Sequence, residues 1–140
     1  MKTWAHFLVS SILTAIFFPI YGWKSLFILV GGVLIDIDHY FWYIYKFKKF
    51  NLLDCYDYFI DGMDKNRVMK NAGILLVFHT IEVMVLALLF SFYSRLMLMF
   101  AIGLLSHYLL DGIFLYNVAK RLIANPSIIS WIVKNQIQKA

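Results

Sequence analysis

Apolar residues dominate the chain in four long runs, and this pattern predicts its architecture. A membrane-spanning helix needs about 20 mostly apolar residues, a requirement met by residues 4–21, 25–45, 72–94 and 96–117. Only a few residues separate the first run from the second and the third from the fourth, so each pair is predicted to form an antiparallel hairpin. We therefore expect an all-α fold, an integral membrane bundle of four transmembrane helices in a single domain over residues 1–140.

Two segments outside the four runs have their own patterns. The C-terminal segment 122–140 has an apolar part that is too short to span a bilayer, which predicts an interfacial segment. In the loop 46–71, acidic residues recur at helical spacing, namely Asp54, Asp57, Asp61 and Asp64. That spacing predicts an amphipathic helix with Leu52, Tyr56 and Phe59 toward lipid; a substrate or cation contact is the alternative.

Composition and charge support a membrane protein and orient it. The chain is 62% hydrophobic and 15% charged, whereas soluble domains carry about 45–50% apolar and about 25% charged residues. Eleven of its 13 lysines and arginines fall on one side of the predicted bundle, leaving only Lys24 and Arg95 on the other. Positive residues mark the cytoplasmic side, so both termini are predicted to be cytoplasmic in a multi-pass inner-membrane protein. Because the basic residues flank apolar runs, we expect membrane lipid and no nucleic acid as a partner.

Eight ionisable residues interrupt the predicted spans, and they are the candidate functional residues. They include all four histidines of the chain: His6, Asp36, Asp38, His39, His79, Glu82, His107 and Asp111. A carboxylate at the centre of a bilayer costs about 2.5–3.5 kcal/mol, so these groups need partners or a polar cavity. The helical rise of about 1.5 Å per residue places them all at similar depth in the cytoplasmic half. We expect one shared cavity.

The spacing of these residues favours a metal site. Three pairs share a helix face at a separation of three or four residues, and these are Asp36 and His39, His79 and Glu82, and His107 and Asp111. Asp38 is predicted to point away unless the helix is distorted near Gly31 and Gly32. Helix bundles build metal sites from such pairs, and imidazole with carboxylate ligands suits zinc, manganese or iron(II). We expect two or more divalent ions, zinc first; hydrogen-bonded interhelical histidines or an ion relay are the alternatives.

Four short motifs carry a family resemblance. "AHFLVSSI" in the first span, "LIDIDH" in the second, "FHT" in the third and "LLSHYLLD" in the fourth resemble the membrane-bound metal-dependent hydrolases, also described as LexA-binding, inner-membrane-associated hydrolases. The order and spacing match from about residue 5 to 117. That family is similar in its ligand pattern to zinc-dependent phospholipase C.

The resemblance implies roles for individual residues. It implies a ligand set of His6, Asp36, His39, His79, His107 and Asp111. It makes Asp38 a ligand or general base. Two elements depart from the family: Ile35 stands where proline usually precedes the first aspartate, and "NAGILLVF" stands where a His-Arg-Gly element usually precedes the third-span histidine. Glu82 is the candidate replacement for the ligand of that element.

The residues and the resemblance together predict a membrane-embedded, metal-dependent hydrolase. Its substrate is expected to be a phosphoester such as a phospholipid, attacked by a metal-activated water with Asp38 or Glu82 as the general base. Two alternatives remain open, a small metal or ion carrier and a metal-stabilised membrane protein without turnover.

Overall fold

The computed structural model describes residues 3–59, 74–119 and 127–137, and every regular element within these ranges is helical. The α-helices are α1 (Thr3–Tyr21), α2 (Phe27–Gly32), α3 (Ile37–Phe47), α4 (Leu52–Phe59), α5 (Ile81–Ser91), α6 (Arg95–Ala119) and α7 (Ile128–Ile137). Short 3-10 turns lie at Gly22–Leu26, Leu34–Asp36 and Val77–His79. The predicted all-α class is confirmed for the described part of the chain.

Two continuous helical stretches are long and apolar enough to cross a membrane, by length and composition. They are Thr3–Phe47, which includes the first two 3-10 turns, and Arg95–Asn117. The predicted third span, 72–94, is not one helix, because α5 begins only at Ile81 and has 11 residues. At about 1.5 Å per residue, α5 measures about 16 Å, short of the hydrocarbon core of about 30 Å.

The first helical stretch folds back on itself as an antiparallel hairpin. The hydroxyl of Thr14 in α1 donates to the carbonyl oxygen of Ser10 at 2.8 Å and lies 3.4 Å from that of Ser25 within the turn Gly22–Leu26. Gly22 opens the turn with φ +56, a conformation that favours glycine. Farther along, a Cβ on Gly32 would lie only 2.0 Å from the Ser10 hydroxyl oxygen. The predicted pairing of the first two apolar runs is therefore present.

Helices α2 and α6 cross at a distance that only glycine permits. A Cβ on Gly31 would lie 2.2 Å from the carbonyl oxygen of Phe100, and one on Gly103 would lie 2.2 Å from that of Ile28. Real Cβ atoms essentially never approach another heavy atom so closely. This crossing brings the C-terminal end of α2 against the middle of α6, next to His107.

Helix α5 packs along α6, and the outside of the bundle is apolar. The shared core contains Ile35, Ala87, Ala101 and Leu104, all nearly inaccessible. Large apolar side chains point outward elsewhere, and among them Ile20, Trp23 and Leu109 are more than half exposed. An apolar exterior around a core containing histidines suits a lipid environment.

The second predicted span, 25–45, is broken after α2. Val33 leaves helical geometry (φ −131, ψ −49), the turn Leu34–Asp36 follows, and the chain becomes α-helical again at Ile37. This is the distortion near Gly31 and Gly32 on which the direction of Asp38 was expected to depend.

The loop helix α4 covers one end of the bundle. Its Leu52 and Tyr56 are exposed, as predicted, but Phe59 is only 7% exposed and packs with Tyr43 and Cys55. The prediction that Phe59 faces lipid was wrong, because its ring packs edge-on against His39 with the centroids 4.7 Å apart. Two of the loop's four acidic residues lie outside the described residues. Helix α7 falls within the segment 122–140 that was predicted to be interfacial.

Candidate metal centre

Seven of the eight predicted site residues lie together where four segments meet. Helix α1 contributes His6, the break before α3 and its first turn contribute Asp36, Asp38 and His39, the turn before α5 contributes His79, and α6 contributes His107 and Asp111. The cluster contains three overlapping groups of three residues. Within each group, the ligand atoms lie within 4.8 Å of one another. The groups are His6, His107 and Asp111; Asp36, His79 and His107; and Asp38, His39 and His79. Each of the three could hold a metal ion.

Four ligand atoms converge at the centre of this cluster. His79 Nε2 lies 3.0 Å from His107 Nε2, and Asp36 Oδ1 lies 3.4 Å from each of these nitrogens. Asp111 Oδ2 is 3.3 Å from His107 Nε2 and 3.8 Å from His79 Nε2. A tetrahedral zinc site with bonds of about 2.0–2.1 Å has ligand atoms about 3.3–3.4 Å apart. The spacing of Asp36 Oδ1 and the two imidazole nitrogens therefore fits one small divalent cation, with Asp111 Oδ2 next to both nitrogens.

Hydrogen bonds on the far side of both rings orient the two central nitrogens. His107 Nδ1 lies 2.9 Å from the carbonyl oxygen of Gly32, which can only accept, so Nδ1 carries the proton and the neutral ring has its lone pair on Nε2. His79 Nδ1 lies 3.0 Å from Asp38 Oδ2, which orients that ring in the same way. Two lone pairs 3.0 Å apart need a proton or a cation between them. Metal-binding histidines are commonly held by such bonds.

His6 completes the buried side of the cluster. Its ring stacks on that of His107 with the centroids 4.0 Å apart, and its Nε2 lies 3.2 Å from Asp111 Oδ1. The side chain is 1% exposed, and its Nδ1 has no hydrogen-bond partner among the described residues. A buried nitrogen left with a lone pair in this way is also a potential ligand.

Asp38 points into the cluster, as the sequence allowed if the helix were distorted near Gly31 and Gly32. Its Oδ1 lies 3.0 Å from His39 Nδ1, and its Oδ2 accepts from the backbone N–H of Phe78 at 3.1 Å as well as facing His79. The break at residues 33–36 rotates α3 relative to α2, which turns both Asp36 and Asp38 inward. Since both carboxylate oxygens of Asp38 are engaged, this residue is arranged to hold its neighbours.

Glu82 belongs to none of the three ligand groups found among the described residues. Its carboxylate accepts hydrogen bonds at the start of α7, from the Ser127 hydroxyl at 2.6 Å and the Ile128 backbone N–H at 3.1 Å. A shared face with His79 requires a continuous helix, but Thr80 between them is extended (φ −103, ψ 152). The expectation that Glu82 substitutes for a metal ligand is therefore not supported; it caps α7 instead.

The cluster is open on one side. The side chains of Asp36, His39 and Asp111 are 26%, 23% and 19% exposed, whereas His107 is fully buried. A molecule from outside would therefore meet Asp36 and His39 first.

Sequence reasoning missed the groups that hold the ligands in place. These are the Gly32 carbonyl, the Phe78 N–H and the hydroxyl of Tyr108, which lies 2.6 Å from the Phe78 carbonyl oxygen. The two backbone groups cannot be recognised from a residue pattern, because every residue has a carbonyl and nearly every residue has an N–H. Tyr108 reads as an ordinary interfacial aromatic, although its position directly after His107 was visible.

The chain matches no protein-family model, no curated protein and no solved structure.

Proposed function

We propose that the protein is a membrane-embedded, metal-dependent hydrolase of phosphoesters. The observation that carries the proposal is the convergence of His79 Nε2, His107 Nε2 and Asp36 Oδ1 at spacings that fit a divalent cation. Imidazole and carboxylate ligands with an open side are typical of hydrolytic metal sites. The four motifs that resemble membrane-bound metal-dependent hydrolases support the same reaction class. Zinc is the first candidate, with manganese and iron(II) as further possibilities.

Each residue of the cluster has a distinct part in the proposed reaction. A bound divalent ion would supply Lewis acidity and lower the pKa of a bound water. Asp36 has the most exposed carboxylate of the cluster, at 26% against 9% for Asp38, so its oxygen other than Oδ1 is the better candidate to accept the proton from that water. Asp38 keeps His79 oriented through Nδ1, and the Gly32 carbonyl does the same for His107.

The proposed substrate is a lipid phosphoester. Leu34 and Ile37, which lie within two residues of Asp36 in the chain, are exposed by 62% and 48%. A substrate that approaches Asp36 would thus cross an apolar surface, which a phospholipid does readily.

We further propose a four-span topology in the inner membrane with both termini in the cytoplasm, in which residues 74–80 and α5 together form the third span. The distribution of lysine and arginine supports this orientation. Lys46 Nζ also lies 4.8 Å from the centroid of the Trp42 ring, and basic and aromatic residues together are typical of a membrane interface. In this topology, the cytoplasmic side of the membrane would be the side nearest to the cluster.

The proposal is tested by hydrolysis assays on the purified protein in phospholipid vesicles. The protein is loaded with zinc, manganese or iron(II), and lipid products are identified by mass spectrometry. We expect phosphoester cleavage that His107→Ala and Asp36→Asn each abolish. Glu82→Gln is the matched control, because it changes a carboxylate outside the cluster and should keep activity.

A second measurement separates hydrolysis from its alternatives. A metal carrier would move metal ions across the vesicle membrane without cleaving lipid. A metal-stabilised protein without turnover would bind metal, lose thermal stability in His107→Ala and show neither activity. In the loaded wild-type protein, metal transport without lipid cleavage, or metal binding without transport or cleavage, would overturn the proposed function.

A further inference from the structure

The segment that carries His79 is not α-helical, although it leads into an apolar α-helix. Residues 74–76 have no regular structure, Val77–His79 form a 3-10 turn, and Thr80 is extended before α5 begins. Non-helical backbone at membrane depth needs hydrogen-bond partners from the protein. The His79 N–H donates within the segment, to the Leu76 carbonyl oxygen at 3.1 Å, and the Thr80 carbonyl oxygen accepts from the Met84 N–H at 3.3 Å. The N–H and carbonyl of Phe78 take their partners from outside the turn.

Two side chains from other helices supply these partners on either side of His79. The hydroxyl of Tyr108 lies 2.6 Å from the carbonyl oxygen of Phe78 and 2.9 Å from that of Thr80, so its single hydrogen can serve both. Asp38 Oδ2 accepts the N–H of Phe78. The Thr80 hydroxyl donates within the turn, to the carbonyl oxygen of Val77 at 2.8 Å.

We propose that Tyr108 is a positioning residue for the metal centre. Its hydroxyl donates to the carbonyl oxygens of Phe78 and Thr80, before and after His79. These bonds keep the turn from becoming a continuation of helix α5. That continuation would rotate His79 and take Nε2 away from His107. Asp38 alone fixes only one side of the turn, since it contacts Phe78 but not Thr80. The inference rests on the proposed function insofar as that function requires a metal at this cluster.

The tyrosine ring and the hydroxyl have separable effects. The ring packs against the core formed by Ile35, Ala87, Ala101 and Leu104, and its centroid lies 6.1 Å from that of His79. Tyr108→Phe keeps this packing and removes only the hydroxyl. Loss of a group that orients a metal-binding histidine typically weakens metal affinity by about 10–100-fold. We expect a loss in that range with the fold retained.

The experiment is a cobalt(II) titration of the detergent-purified protein, followed by visible absorption and thermal unfolding. Wild type should bind cobalt(II) with a ligand-field spectrum of low coordination number. Tyr108→Phe should bind about 10–100-fold more weakly and show an altered spectrum, because one imidazole is displaced. Tyr93→Phe is the control, since Tyr93 is 89% exposed, and it should behave as wild type.

A double-mutant cycle distinguishes positioning from general stabilisation. In a His79→Ala background, Tyr108→Phe should cause no further loss of affinity, because the histidine that it positions is absent. Replacement of Tyr108 by p-aminophenylalanine, which restores a donor on the same ring, should recover affinity and covers the case in which Tyr108→Phe folds poorly.

The possible failures have different meanings. Absence of cobalt(II) binding by wild type would remove the metal centre, and with it both the proposed function and this inference. Wild-type affinity in Tyr108→Phe would overturn the inference alone. An equal loss with and without His79 would also overturn it, because the hydroxyl would then stabilise the bundle in general.

Discussion

The crossing of α2 and α6 links packing to the metal centre, and Gly103→Ala tests that link. The added Cβ would lie 2.2 Å from the carbonyl oxygen of Ile28, whereas ordinary contacts begin at 3.4 Å. The two helices must therefore separate by about 1.2 Å. If the separation acts along the bond from His107 Nδ1 to the Gly32 carbonyl, the present 2.9 Å becomes about 4 Å, beyond hydrogen-bonding distance.

Two losses are expected together in Gly103→Ala. Overpacking of this kind costs about 1–3 kcal/mol of stability, which thermal unfolding in detergent detects. Release of His107 from the Gly32 carbonyl should in addition weaken metal affinity by about 10–100-fold. The assay is a metal titration with unfolding curves recorded in parallel.

A matched control comes from the outer face of the same helix. Ile113 is 59% exposed, so Ile113→Ala should change neither stability nor metal affinity appreciably. If Gly103→Ala kept wild-type affinity and stability, the close crossing would not support the metal centre, and the reasoning from Gly32 to His107 would be refuted.

Two further predictions concern regions outside the metal centre. Glu82→Ala should leave metal content unchanged but weaken α7 by about 0.5–2 kcal/mol through loss of its cap, which faster hydrogen–deuterium exchange in residues 128–137 would reveal; loss of metal would contradict the separate placement of Glu82. Burial raises the pKa of the Cys55 thiol to about 11, so only about one molecule in 1,000 is the thiolate at pH 8. Iodoacetamide should therefore label Cys55 slowly at pH 8 and faster as the pH approaches 11, and Phe59→Ala should speed labelling at pH 8. Rapid labelling of the wild type at pH 8 would show that the packing of α4 against α3 does not bury this thiol.

Much of the site was predictable because it depends on residue spacing and depth. His107 and Asp111 lie four residues apart in an unbroken helix, so their shared face followed from helical geometry. His6 lies near the start of α1 and could be placed at the same depth from the helical rise alone. Apolar run lengths likewise gave the helical class and the antiparallel pairing of α1 with α2.

The remainder depends on contacts between distant segments. In the break at residues 74–80, Asp38 and Tyr108 satisfy the backbone groups of Phe78, and at the break after α2 His107 satisfies the carbonyl oxygen of Gly32. If helices with 3.6 residues per turn continued through both breaks, Asp38 would lie on the helix face opposite to Asp36 and His39. Glu82 would then share a helix face with His79. The resemblance to the membrane-bound hydrolases had made Asp38 a candidate ligand or general base independently of helical geometry.

The most direct test of the metal centre is the metal content of the protein, purified without a histidine tag and then loaded with zinc. Elemental analysis should give at least one equivalent of tightly bound metal, and His107→Ala should lose it. X-ray absorption should show nitrogen and oxygen ligands at about 2.0–2.1 Å and no sulfur, because no cysteine is among the clustered residues. Wild-type protein without stoichiometric metal, or zinc bound through sulfur, would contradict the metal centre.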